Sequence, residues 1–188
     1  MATSPLSRQL DPSGLARSPW LRLPLLGVLG LMFLAYLRDP MHSSIFDGLN
    51  LVVHEAGHLA FFWFGEFLGM AGGTIFELSV PLLVGWAFYR QRDTFGMAVV
   101  LFWLGTALVH VGVYMADARA QTLHLVSTGY GEPIHDWYYL LARAGLLRQD
   151  RLLGGAARVM GLLSMAGSLA WGAWITRRKA VPGSPGSP

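Results

Sequence analysis

The sequence predicts an all-α fold, a polytopic transmembrane helix bundle of about five spans. Two observations support this prediction. Hydrophobic residues make up 53% of the 188 residues and charged residues only 13%, and this charged fraction is about half that of a typical soluble domain. The chain also contains long stretches without charge, and a helix satisfies its own backbone hydrogen bonds inside a bilayer. A disordered chain is therefore excluded, and an ordinary soluble domain is disfavoured.

Five apolar stretches are candidate membrane spans. The first, 20–38, resembles a signal peptide, but residues 37–40 do not form a small-residue cleavage site, so a retained anchor is favoured. The block from Ile45 to Tyr89 is too long for one helix, and Gly72-Gly73 is the predicted break. The five predicted spans are 20–38, 44–70, 74–90, 94–118 and 152–176.

The last predicted span carries a stripe of small residues. They recur every three or four positions and therefore share one helix face: Ala157, Gly161, Ser164, Ser168 and Gly172. Small residues let membrane helices approach closely, so this face is predicted to pack against another helix.

The two ends of the chain differ from the apolar body in composition. Residues 1–19 are rich in Ser, Pro and Arg, and residues 181–188 read VPGSPGSP. Both compositions are typical of segments that bury too little apolar surface to fold. The sequence therefore predicts a disordered tail at 1–19, a helical bundle at 20–178 and a second disordered tail at 179–188.

Charge and cysteine content narrow the classes of function. The net charge is +3, and the 14 Lys and Arg residues are largely scattered, so no nucleic-acid partner is expected. The chain has no cysteine, which excludes disulfides, thiolate metal sites and a cysteine nucleophile. Any metal must therefore be held by His, Asp or Glu. The predicted spans make the lipid bilayer the expected environment of the protein.

The strongest motif lies inside the second predicted span. Residues 54–58, HEAGH, match the H-E-x-x-H zinc pattern. Positions four apart on a helix are only about 40° apart around its axis, so the imidazoles of His54 and His58 can bind one Zn²⁺. Glu55 lies beside that ion and suits a general base for the water that zinc activates. Another bound metal or cofactor, or a purely structural site, is the alternative interpretation of these buried polar residues.

HEAGH in a membrane helix, followed by a Gly-Gly pair and further spans, resembles the site-2 protease class of intramembrane zinc metalloproteases. The resemblance covers the layout of residues 44–120 and is specific at 54–58. It implies zinc held by His54 and His58, Glu55 as base, cleavage of a membrane-protein substrate, and a bacterial inner membrane as the location. That class usually takes its third ligand from an Asn-Pro-x-Asp-Gly type motif, which does not occur here.

Zinc needs a third protein ligand, and four residues are candidates. Asp117 ends the longest uncharged span, and His110 lies within that span at a depth similar to that of the motif. His135 and Asp136 follow a Gly-x-Gly, where a re-entrant loop could bring His135 to the metal while Asp136 orients a ligand. Asp117 and His135 are favoured, and Asp136 is alternatively the N-cap of a helix that starts at Trp137.

Three further acidic residues, Glu66, Glu77 and Glu132, are candidates for other roles. If residues 44–70 form one regular helix, Glu66 lies on the same face as Glu55. Its carboxylate then either lies on the same polar face as Glu55 or extends towards solvent at the helix end. Glu77 is expected after the Gly-Gly break, where it contacts an extended substrate or pairs locally. Glu132 is a potential ligand beside His135.

The leading prediction is an integral-membrane zinc metalloprotease that cuts a membrane-protein substrate. Two alternatives from other classes remain open. The chain could be a non-catalytic subunit of a membrane complex, in which His54 or His58 binds haem or pairs with Glu55. It could instead transport a metal ion or protons along a path of Glu55, Glu66, His54 and His110.

Overall fold

The computed structural model describes residues 19–39, 41–124 and 134–180. Within these residues six α-helices follow one another: α1 Pro19–Arg38, α2 Ile45–Phe61, α3 Glu66–Arg90, α4 Thr94–Ala116, α5 Asp136–Arg143 and α6 Asp150–Ala180. Two 3₁₀ turns, Phe62–Phe64 and Leu147–Gln149, precede α3 and α6. No strand occurs in the described ranges, which confirms the all-α prediction.

Four of these helices, α1, α3, α4 and α6, are long and apolar enough to cross a membrane. The motif-bearing helix α2 is shorter, with 17 residues. The protein is therefore an integral membrane protein, as its composition predicts. The predicted spans 20–38, 94–118 and 152–176 agree with α1, α4 and α6 to within a few residues.

The predicted break between the second and third spans is wrong. Gly72-Gly73 lies inside α3, and the chain instead breaks at 62–65, where Gly65 adopts a φ of 91° that only glycine takes at little cost. The glycine pair lies within the helix, where its missing side chains let α2 pack directly on α3. A Cβ on Gly72 would lie 2.7 Å from the carbonyl oxygen of Gly57, and a Cβ on Gly73 would lie 2.5 Å from His54 Nε2.

The small residues of the last span pack α6 against α4, as predicted. A Cβ on Gly161 would lie only 2.6 Å from the carbonyl oxygen of Gly105. Ser168 donates a hydrogen bond of 2.6 Å to the carbonyl oxygen of Ala98, and Ser164 makes a similar bond across the same interface. The main buried core lies beside this contact and combines side chains of α1, α4 and α6: Leu29, Tyr36, Phe102, Val109 and Met165.

Polar contacts fix the position of α2. A capping box closes its first turn, and Tyr36 at the end of α1 donates a hydrogen bond of 2.6 Å to Asp47 Oδ2. One turn before His54, the fully buried Asn50 accepts a hydrogen bond of 2.8 Å from Trp103 Nε1 of α4. Because a buried amide needs partners, this bond sets the register of α2 on α4.

The predicted tails lie almost entirely outside the described residues. The described residues leave out 1–18, 40, 125–133 and 181–188, so the two disordered tails and Glu132 as a metal ligand stay predictions.

Candidate metal centre

The two histidines of HEAGH meet a carboxylate from α5. His54 Nε2 lies 3.1 Å from Asp136 Oδ2, and His58 Nε2 lies 3.2 Å from the same oxygen. One potential ligand atom from each residue lies within 4.8 Å of the other two. Ligands about 2.0–2.1 Å from a tetrahedral zinc ion stand about 3.3 Å apart, so these spacings suit such an ion. The part of the chain that is described holds no other group of this kind.

The second nitrogen of each imidazole is held by an acceptor. His58 Nδ1 lies 2.7 Å from the carbonyl oxygen of Gly69, which can only accept, so Nδ1 carries the proton. His54 Nδ1 lies 3.0 Å from Glu77 Oε2 and can donate to this carboxylate in the same way. In metal sites this arrangement fixes the tautomer and directs the Nε2 lone pair to the ion. Both rings are therefore oriented for binding through Nε2.

Glu77 links His54 to a third histidine. Its side chain is fully buried in α3, and Oε1 lies 2.8 Å from His110 Nδ1 of α4. Because the predicted break at Gly72-Gly73 is wrong, the contact between Glu77 and His54 was not predicted. The usable signal was the spacing of Gly73 and Glu77, because on a continuous helix they lie one turn apart on the same face. His110 thus lies next to the centre, where it is bonded to Glu77 and is not one of the three grouped ligand candidates.

The predicted base, Glu55, is half-buried beside His54 on α2. Within residues 19–39, 41–124 and 134–180 its carboxylate makes no hydrogen bond or ion pair, although it interacts electrostatically with Tyr114. The side chain of His58 is 22% exposed, so the centre can be reached from the protein surface. A carboxylate that is not committed to another group and lies next to a ligand fits the role of a general base.

Asp117, a favoured candidate for the third ligand, lies outside the ligand group. It directly follows α4, and its carboxylate accepts hydrogen bonds of 2.6–3.0 Å from Thr122 and Leu123. Although burial opposes ionisation, these bonds hold the pKa of Asp117 below its ordinary value. Its oxygens are thus used to close the turn after α4.

His135, the other favoured candidate, also has a different place. It is the N-cap of α5, where its Nδ1 accepts a hydrogen bond of 3.3 Å from the backbone N–H of Tyr138. Its ring stacks on Tyr114, and its Nε2 lies 3.7 Å from Asp117 Oδ2. Burial lowers the pKa of His135, which favours a neutral ring. Asp136, one of the four candidate third ligands and alternatively a predicted N-cap, is the first residue of α5, and its carboxylate faces the HEAGH histidines.

Glu66 does not share a helix with Glu55. It is exposed at the first position of α3, where a negative charge is favourable beside the helix N-terminus. The predicted common face is wrong because the chain leaves the helical path at residues 62–65.

No family model matches the chain, and no similar curated protein or solved structure was found. The case for a metal centre therefore depends on the donor atoms and on their geometry. The resemblance to the site-2 protease class stays an expectation drawn from the HEAGH motif and its setting.

Proposed function

We propose that the protein is an integral-membrane zinc metalloprotease that hydrolyses peptide bonds in or near the membrane. The observation that carries the proposal is the position of Asp136 Oδ2, within 3.2 Å of Nε2 of both His54 and His58. Two imidazoles and one carboxylate are a common ligand set of catalytic zinc, with the fourth position open. A zinc ion held there supplies a Lewis acid that polarises a carbonyl group and activates water.

The side chains around this centre have separate roles in the proposed reaction. His54, His58 and Asp136 hold the ion, and Glu77 keeps His54 Nε2 directed at it. Glu55 accepts a proton from the attacking water and passes it to the nitrogen of the leaving amine. This transfer is needed because an amine leaves poorly until its nitrogen is protonated.

The depth of the centre favours substrate bonds near one membrane surface. Glu77 contacts both His54 of α2 and His110 of α4, so these two histidines lie at a similar depth. From His110 to the end of α4 at Ala116 is about 9 Å along the helix axis. The exposed aromatic turn Phe62–Phe64 follows α2 at the same end of the bundle and suits the membrane–water interface.

The zinc content of detergent-purified protein tests the metal assignment. We expect about one zinc per chain in wild type and in Asp117→Asn, and almost none in His54→Ala and Asp136→Asn. Asp117→Asn is the matched control because it makes the same change at a nearby acid with other hydrogen-bond partners. Zinc retained in Asp136→Asn and lost in Asp117→Asn would make Asp117 the third ligand. Absence of zinc from wild type, even after reconstitution, would overturn the proposal.

Peptide hydrolysis tests the reaction itself. Synthetic single-span peptides, incubated with the protein in detergent and analysed by mass spectrometry, should be cleaved by wild type and by Glu66→Gln. Glu55→Gln should keep its zinc but cleave at least about 100-fold more slowly, because it lacks the general base. Cleavage at the wild-type rate by Glu55→Gln would contradict the assigned role of Glu55.

Transport of a metal ion or of protons is a second candidate, and one observation favours it. A continuous run of titratable side chains crosses the centre, with successive contacts of 2.8–3.2 Å: His110, Glu77, His54, Asp136 and His58. Such runs are typical of proton paths in membrane proteins. Uptake of Zn²⁺ or protons into proteoliposomes that His54→Ala abolishes would favour transport. A zinc-loaded protein that carries no flux would favour hydrolysis.

A further inference from the structure

Asp136 is the only ligand candidate in the group that does not come from α2. It lies at the start of α5, a helix of eight residues whose buried Leu140 and Leu141 pack on the bundle. These apolar contacts hold the middle of α5 but do not determine where its first residue points. The contacts of Asp136 itself must therefore account for the position of its carboxylate.

Tyr114 of α4 makes two hydrogen bonds to Asp136. Its hydroxyl accepts from the backbone N–H of Asp136 at 3.1 Å and donates to Asp136 Oδ2 at 3.3 Å. That oxygen is the one that faces both HEAGH histidines. A single hydroxyl thus fixes the backbone and the side chain of the same residue, which leaves the carboxylate little freedom to rotate.

The ring of Tyr114 contacts both His135, which precedes α5, and His54 of α2. It stacks on His135 with a centroid distance of 4.3 Å and meets the edge of His54 at 5.9 Å. In the described part of the chain, the buried His135 Nε2 makes no hydrogen bond, and the carboxylate of Asp117 lies 3.7 Å away, so this contact holds the segment only weakly. Docking of this segment therefore depends on other contacts, of which the Tyr114 hydroxyl makes two.

We propose that Tyr114 is a positioning residue that docks the start of α5 so that Asp136 completes the metal centre. The inference rests on the proposed zinc site, and it adds that zinc binding and docking of residues 134–143 are coupled. Tyr114 suits this role because α4 packs firmly against α6 and so provides a fixed point. Binding of zinc to all three ligands would in turn hold α5 in its docked position.

Tyr114→Phe tests the hydroxyl while keeping the ring and its stacking. Tyr139→Phe is the matched control, because it makes the same change on α5 at an exposed hydroxyl that bonds only Arg143 among the described residues. We expect the zinc affinity of Tyr114→Phe to fall by about 10-fold to 100-fold, as for other groups that orient a ligand, and that of Tyr139→Phe to be unchanged. Equal affinities in Tyr114→Phe and wild type would overturn the inference.

Two further measurements separate positioning from a general loss of structure. With Co²⁺ as a probe, the visible absorption bands of Tyr114→Phe should shift towards those of Asp136→Asn, while the unfolding temperature stays close to that of wild type. An unchanged cobalt spectrum would argue against positioning. In metal-free protein, amide hydrogen exchange in 134–143 should be faster in Tyr114→Phe than in Tyr139→Phe, and equal rates would also contradict the inference.

These results distinguish this inference from the proposed function. Zinc bound by wild type and lost in Asp136→Asn, with no effect of Tyr114→Phe, would leave the zinc site intact and remove the role of Tyr114. Wild type that binds no zinc would overturn the proposed function, while hydrogen exchange in the metal-free protein would still decide whether Tyr114 docks α5.

Discussion

In two helix interfaces of this protein a glycine of one helix packs against a glycine of the other, but the polar side chains beside the two contacts differ. Between α4 and α6, Gly161 lies against Gly105, and the nearby polar contacts are hydrogen bonds from serines to backbone carbonyls. Between α2 and α3, Gly57 lies against Gly72 in equally close contact. There the next residue, Gly73, leaves space for the imidazole of His54.

The difference shows that close glycine packing is not by itself a sign of function. In the α4–α6 interface Ser164 and Ser168 bond to backbone carbonyl oxygens, so these contacts stabilise the packing of the two helices. In the α2–α3 interface the missing side chain of Gly73 lets the ring of His54 lie directly on α3. One turn further along α3, Glu77 can then reach His54 Nδ1.

The largest effect is expected from Gly161→Ala in the α4–α6 interface. The new Cβ would lie 2.6 Å from a backbone oxygen, so the helices must separate. We expect a loss of about 3 kcal/mol in unfolding free energy, measured by thermal or denaturant unfolding in detergent. Gly167→Ala is the control in the same helix, because nothing lies within 4 Å of its new Cβ. Equal stabilities of the two variants would show that the close contact is not required.

Gly73→Ala makes the same change in the α2–α3 interface and should act on the metal centre. Its Cβ would lie 2.5 Å from His54 Nε2 and displace the imidazole. We expect the zinc affinity to fall by about 100-fold, measured by competition with a chelator, with a smaller loss of stability than in Gly161→Ala. Gly69→Ala, whose nearest neighbour is 4.0 Å away, is the control. Normal zinc binding by Gly73→Ala would place His54 outside the metal centre.

Glu77→Gln tests the orienting carboxylate without changing its size. The amide keeps one acceptor oxygen for two histidines, so one of the bonds to His54 and His110 is lost. We expect a fall of about 10-fold in zinc affinity in the same chelator assay. Glu66→Gln should bind zinc like wild type, because Glu66 is exposed at the start of α3. A similar loss in both variants would point to a non-specific effect of charge.

Ser168→Ala should have the smallest effect. It removes one hydrogen bond of 2.6 Å to the carbonyl oxygen of Ala98, and such bonds in membrane helices contribute about 0.6 kcal/mol. The unfolding free energy should fall by that amount, and zinc affinity should not change. A loss of zinc from Ser168→Ala would mean that the two interfaces are coupled, contrary to the comparison above.

Sequence reasoning predicted the helices that end at charges or caps. Arg38 closes α1, and Asp93 caps α4, so these ends could be read from residue type alone. The break at 62–65 was missed because Phe62-Trp63-Phe64 is as apolar as the helices around it. Its only local mark is Gly65, and one glycine is a weaker signal than the Gly-Gly pair nearby.

The sequence alone predicted the all-α membrane fold, which the structure confirms, and the placement of His54 and His58 on one helix face with Glu55 beside them. The physical reason is that both follow from local rules: an apolar run must satisfy its own backbone in lipid, and residues four apart share a helix face. Only the tertiary structure brought Asp136, and not Asp117, to the HEAGH histidines and placed Glu77 against His54. Those contacts depend on the register of α2 on α4 and on where α5 docks, and side chains distant in the sequence set both.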